Sequence, residues 1–243
     1  MSISLIEVAL DRPDSLRPHA SRFCSGVRAA VTAAADLWQG TGVARAVPTS
    51  ATTLSIASDN AADTAAGTGA RTVRIDGLDA SGAEQTEDVP MNGVTPVTSS
   101  KLWLRVNAAY AIAAGSGGVN AGNISLTHTG AAGVIAFIAA SEGRALMAAY
   151  SVPTGRVALV LALRAQGEDV AATPEVTLYE RAGILGTTPT LRAVTKLPVD
   201  GRSSAIDFRA YPYVEGPCDL FASAVSGVSA RIAAQFDVLL ASP

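Results

Sequence analysis

The chain has 243 residues, of which 49% are hydrophobic, 5% aromatic and 16% charged, with a formal net charge of −3. That length allows one large domain or two ordinary ones, each with a substantial core. With only two lysines, Lys101 and Lys196, and no dense basic block, direct nucleic-acid binding is not expected, and apolar runs such as Val134 to Ala140 are too short to cross a bilayer, so no membrane partner is expected either.

Met1 to Leu10 reads as a strand, and its start lacks the basic region of a signal peptide. Residues 1–22 include Pro13 and Pro18 and are expected to form an N-terminal strand and arm that reaches a neighbour. Arg12, Arg17, Arg22 and Arg28 are interleaved with Asp11 and Asp14, which suits surface or inter-subunit contacts. Gly26 to Leu37 is Ala-rich, which favours a helix, while its Val and Thr permit a strand. From Thr52 the pattern is plainly β. Thr52 to Ser58, Arg71 to Gly77 and Asn123 to Thr129 alternate with period two. Leu102 to Ile112 predicts a long strand with a bulge near Asn107, and Gly115 to Gly122 predicts a loop. His128 is expected to face solvent.

Ser141-Glu142-Gly143 is a polar break between two apolar strands and marks the expected boundary. The expectation is therefore an arm at 1–22 and sandwiches at 23–142 and 143–243. Past the break, Leu146 to Val152 meets the turn Pro153-Thr154-Gly155, and Arg156 to Leu163 is a nearly continuous apolar run that suits a core strand. Further strands are predicted at Glu175 to Glu180, Leu191 to Leu197, Ala205 to Ala210, Cys218 to Val225 and Ser229 to Leu240. Short strands between turn signals predict an all-β protein: two antiparallel β-sandwich domains, of jelly-roll or immunoglobulin-like type.

A phrase occurs twice. Val89-Pro90-Met91-Asn92-Gly93 returns as Leu197-Pro198-Val199-Asp200-Gly201, 108 positions later. Each copy follows a strand pair and precedes a serine pair, Ser99-Ser100 or Ser203-Ser204. A domain-sized period suggests two related sandwiches.

Chemistry-bearing patterns are sparse. Cys24 and Cys218 permit one disulfide without demanding it and read as small buried residues. His19 and His128 make no cluster of metal-ligand spacing, so neither a metal nor a cofactor is expected. Asp59, Asp63, Asp76 and Asp79 lack the alternation of a calcium loop. Asp76, Asp79, Glu84, Glu87 and Asp88 are the acids from which a glycosidase pair would be drawn, but inter-strand turns collect such residues for solubility. No Gly-x-Ser-x-Gly elbow is present, and no enzymatic activity is expected. Trp103, Tyr211 and Tyr213 are candidate interface aromatics, with Tyr211-Pro212-Tyr213 the best exposed contact loop.

Residues 65–97, the strand Leu102-Trp-Leu-Arg-Val-Asn-Ala-Ala-Tyr110, the loop Asn120-Ala-Gly-Asn-Ile124 and the turn Tyr150-Ser-Val-Pro-Thr-Gly-Arg156 together resemble virion structural proteins of tailed bacteriophages. Residues 20–48 depart from the Trp- and Gly-rich entry of that family. The resemblance implies a structural place in the particle, and so a virion location after assembly in the host cytoplasm. The expected task is capsid decoration or cementing: a homo-oligomer, by preference a trimer, on the major capsid protein or other virion proteins. A tail, collar or fibre-base ring stays open, as does a receptor- or carbohydrate-binding module.

Overall fold

The computed structural model describes residues 20–40, 44–131, 133–168, 173–186, 188–200 and 202–242. Among them the protein is all-β, with no helix. The strands begin with β1 (Ala20–Val31), β2 (Ala35–Asp36), β3 (Leu54–Ser58), β4 (Ala70–Leu78), β5 (Glu84–Pro90), β6 (Val97–Thr98), β7 (Arg105–Ala114), β8 (Ile124–His128) and β9 (Gly133–Ile138). They continue with β10 (Ala149–Val152), β11 (Val157–Gly167), β12 (Glu175–Ala182), β13 (Thr190–Pro198), β14 (Ser203–Asp207), β15 (Tyr213–Glu215), β16 (Cys218–Val225) and β17 (Ala230–Ala241).

All pairings between these strands are antiparallel, and they make two sandwiches. In one, the sheets β6-β3-β8-β9 and β5-β4-β7 enclose a core of Leu54, Ile56, Val73, Ile75, Ile124 and Leu126 around Trp38 and Trp103. In the other, β1-β17-β11-β14 faces β10-β16-β12-β13 over Val160, Leu163, Val176, Leu178, Leu220 and Phe236. Strand alternation carries these cores: Leu54 and Ile56 are inside while Ser55 and Ala57 are half-buried.

The two sandwiches share a strand order. β6-β3-β8 in the first matches β14-β11-β17 in the second, and β5-β4-β7 matches β13-β12-β16. The repeated phrase occupies the same place in both. Val73 pairs with Val89 and Thr72 with Pro90; Val176 pairs with Leu197 and Glu175 with Pro198. The residue after each proline turns its amide back to the start of the first strand, Met91 to the Arg71 carbonyl (2.9 Å) and Val199 to the Pro174 carbonyl (2.8 Å).

The expected division at residue 142 does not follow the pairing. β1 lies in register with β17 from Ala20 opposite Leu240 to Val31 opposite Ala230, and Asp36 of β2 pairs with Ser223 of β16. Both N-terminal strands thus complete the C-terminal sandwich. β10 lies on the same edge of β16 as β2, further along. The chain leaves that edge at Leu37 and returns at Ala148: the Leu37 amide donates to the Ala222 carbonyl, the Ala222 amide to the Ala148 carbonyl, and the Ala148 amide to the Leu37 carbonyl. Residues 38–147 are an insertion whose ends meet at the Trp38–Met147 bridge. Close ends are what let one domain sit inside another.

β1 shows how tertiary pairing overrides propensity. Its Ala-rich second half is strand, because β17 offers a full ladder partner. Gly26 passes so close to the crossing point that a Cβ there would lie 1.9 Å from the Leu37 carbonyl oxygen and 2.4 Å from the Ala148 amide nitrogen. The expected arm at 1–22 falls, up to residue 19, outside the described residues, and so does the Met1 to Leu10 strand.

Candidate functional site

Elementary electrostatics directs attention to charge inside apolar strands. Arg105 stands in Leu-Trp-Leu-Arg-Val, and Asp219 in Cys-Asp-Leu-Phe-Ala. Each belongs to a different sandwich, and they meet where the outer face of the β16 sheet packs on β7. Arg105 Nε donates to both Asp219 oxygens, at 2.9 and 3.1 Å, with side chains only 2% and 1% exposed. A buried ion is tolerable only when paired and hydrogen-bonded, and the surroundings supply this. Arg105 Nη1 donates to the carbonyls of Pro48 (2.6 Å) and Leu104 (2.9 Å). Asp219 also accepts from Ser151 Oγ (2.6 Å), and Arg181 Nη1 lies 3.4 Å away.

Burial by itself pushes the Asp219 carboxyl up, but the charge and hydrogen bond of Arg105, the Ser151 hydroxyl and the charge of Arg45 outweigh it and hold its pKa below the usual range. The pKa of buried Arg45 is lowered as well, but there the loss of water comes first and works against the pull of Asp219 and Asp36.

The bulge expected near Asn107 is present. Opposite β4 the register steps from Ala108 to Val106, leaving Asn107 unpaired in the ladder. The bulge aims its amide across the junction, where Nδ2 donates to the Ser151 carbonyl (2.9 Å) and Oδ1 accepts from the Ser151 amide (2.7 Å). Beside it, Phe221 stacks on Tyr179 (centroids 5.5 Å apart, planes at 23°) under the Arg181 guanidinium, 4.8 Å from the ring centre. These contacts bridge the two sandwiches.

The sequence-predicted site residues fare differently. Trp103 is a correction. It is fully buried, because its backbone pairs with Thr52 and its ring enters the first core, so it cannot serve as an interface anchor. Tyr211 and Tyr213 are exposed, at 38% and 52%, and the Tyr213 hydroxyl donates to Glu215 Oε1 (2.7 Å). Arg22 is exposed on β1, while Arg12 and Arg17 lie outside the described residues. Among the described residues, Arg22 on β1 and Tyr213 on β15 belong to one sheet, with β17 and β11 between them.

His128 is a second correction. It shares the inward parity of Ile124 and Leu126 and is 1% exposed. The Ala131 amide donates to Nδ1 (2.9 Å), so the ring proton sits on Nε2 and points at the Trp103 carbonyl (3.1 Å). Burial holds its pKa below the ordinary histidine value.

The loop acids act as backbone staples. Asp63 accepts from Ser58 Oγ (2.6 Å) and the amides of Ala70 (2.7 Å), Ala121 (2.8 Å) and Gly122 (2.8 Å). Asp59 holds Asn123, Asp79 closes the β4–β5 turn through Ser81 and Ala83, and Asp76 accepts from Thr86 and Tyr110. Glu87 accepts from the Ser100 and Lys101 amides, and Asp88 pairs with Arg74. Among the described residues, no group of three or more His, Cys, Asp or Glu could hold a metal ion. Cys24 and Cys218 are separate buried thiols, each pushed well above the usual thiol pKa by burial first and nearby carboxylates second.

Sequence reasoning missed Arg105, Asp219, Ser151 and Arg45. The available signal was a lone ionised residue in each of two apolar strands, which demands a partner.

No family model matches the chain, and no curated protein does. Among solved structures, T=1 particles derived from infectious bursal virus are similar at 10% identity and a TM-score of 0.26, over 94% of this chain and 70% of that one. A likeness of that size assigns nothing to this chain.

Proposed function

We propose that the protein is a structural component of a tailed-phage virion, a capsid decoration or cement protein that stabilises the head through contacts between subunits. The strand order carries this reading. The C-terminal sandwich sets β1-β17-β11-β14 against β10-β16-β12-β13, with β15 beside β11 and β2 beside β16. We read this order as a jelly-roll arrangement, an architecture used by viral capsid and lectin domains. The inserted sandwich repeats six of those strands, and the Arg105–Asp219 junction locks one body to the other. A double brick joined in this way suits a shell, where stability comes from many identical weak contacts. Fold alone does not fix function; the sequence resemblance to virion proteins adds the context.

The test is electron microscopy of purified particles carrying a label after Pro243. Label over the head shell is the expected result, label on the tail or collar moves the protein to the ring reading, and particles without label refute a virion role. A lectin-like receptor module is the second reading, favoured by exposed Tyr211 and Tyr213. It requires glycan binding that Tyr213→Ala abolishes.

A further inference from the structure

The outer face of the β1-β17-β11-β14 sheet carries a groove of about 770 Å³. Its shape follows from side-chain size. In one row across the strands Ser25, Gln235 and Arg164 lie side by side, and in the next Val27, Ala233, Gln166 and Ser203. Small residues thus form a floor, while Arg144, Arg164, Arg202 and Arg231 stand around it. Arg164 is held by Asp207 (2.9 Å) and Asp237 (2.5 Å), and Arg231 by Glu168 (2.7 Å). Arg144 and Arg202 are exposed and make no ion pair among the described residues. Guanidinium forks around a shallow floor suit carboxylates, which they can grip through two parallel hydrogen bonds.

The protein carries a matching surface on its other sandwich. β5 begins Glu84-Gln85-Thr86-Glu87-Asp88, with three acids in five residues. Among the described residues β4 is its only ladder partner, while the Ser100–Leu102 segment bonds to it through Lys101 Nζ on the Thr86 carbonyl (2.7 Å) and Gln85 Nε2 on the Leu102 carbonyl (2.6 Å). Asp88 is engaged by Arg74, whereas Glu84 and Glu87 have no cationic partner among the described residues. Glu87 is held by the Ser100 and Lys101 amides, so Glu84 is the carboxylate that β5 leaves to match Arg144 and Arg202.

We infer that the arginine groove of one copy receives the acidic β5 edge of a second copy. This deepens the virion reading and rests on it. The two patches are unlike, so the contact is heterologous: it repeats head to tail and either closes a ring or extends as a filament. Electrostatic matching also suppresses groove-to-groove and β5-to-β5 encounters.

The test uses the full chain in sedimentation velocity at low and high salt. Self-association is expected at about 50 mM salt and its loss by about 0.5 M, where screening is nearly complete. Arg144→Glu with Arg202→Glu should weaken association about tenfold, as should Glu84→Arg, on the scale of one or two reversed surface pairs. All three changes in one chain should restore it to within about threefold, a rescue that a misfolded variant cannot give. Unchanged association in the groove variant, or no rescue in the triple variant, overturns the inference. A chain that stays monomeric but binds a hexaglutamate peptide through Arg144 and Arg202 also overturns it, in favour of a different acidic partner. If association fails while labelled particles still carry the protein, the inference falls and the virion reading stands.

Discussion

Asp219→Asn is the most informative single change. It leaves the shape of the junction nearly intact and removes its negative charge. Arg105 then remains 2% exposed with its Nε facing a neutral amide, and buried Arg45 loses the charge that most favours its ionised form. Arg105 keeps the Pro48 and Leu104 carbonyls, so the loss is the charge pairing rather than every hydrogen bond. Removing one partner of a buried pair costs about 3–5 kcal/mol. For a chain of this size, each kcal/mol moves the melting temperature by about 2–4 °C, so a fall of about 6–20 °C is expected in calorimetry. A cycle with Arg105→Gln should return a coupling of about 2 kcal/mol. The pH dependence gives a second readout. The unfolded carboxyl takes up a proton near pH 4, while the folded one resists it. The stabilisation is therefore complete above about pH 4 and is lost as pH falls through the folded value, and Asp219→Asn should lack that loss. A destabilisation below about 1 kcal/mol would refute the claim that this pair fixes the two sandwiches together.

Two further outcomes follow from single residues. His128 should stay neutral below pH 6.5 with its proton on Nε2, as read by nitrogen NMR of the ring. Because the unfolded ring protonates near pH 6.5 and the folded one does not, stability should be full above that pH and decline as pH falls toward the folded value. A ring titrating at the ordinary value would contradict its burial. Gly26→Ala forces a methyl group against backbone at the Leu37–Ala148 crossing and should cost about 1–3 kcal/mol in urea unfolding. An unchanged midpoint would mean that β1 does not pass there.

Local grammar was legible in the sequence because it depends on neighbours in the chain. Alternation in Arg71 to Gly77 marked β4, the turn at Asn92-Gly93 takes a positive φ of 62° at Gly93, and the Asn107 bulge lies where the pattern broke. The doubled Pro-x-Asn/Asp-Gly phrase correctly marked equivalent hairpins in two sandwiches. The same parity, carried two residues past Leu126, would have placed His128 inside; its polarity diverted the reading. Trp103 was misplaced for the converse reason, since an aromatic ring suits core and interface alike.

What only the tertiary structure decided is which strands belong together. β1 finds its partner in β17, at the far end of the chain, and the edge strand begun by β2 resumes as β10 after the whole inserted sandwich. Nothing local encodes such a pairing, because backbone hydrogen bonds are identical for every sequence and the choice among edges is made by the burial of complete faces. Arg105 and Asp219 are the same case in electrostatics: each alone is an anomaly in its strand, and only their approach across the junction turns two costly buried charges into a clasp.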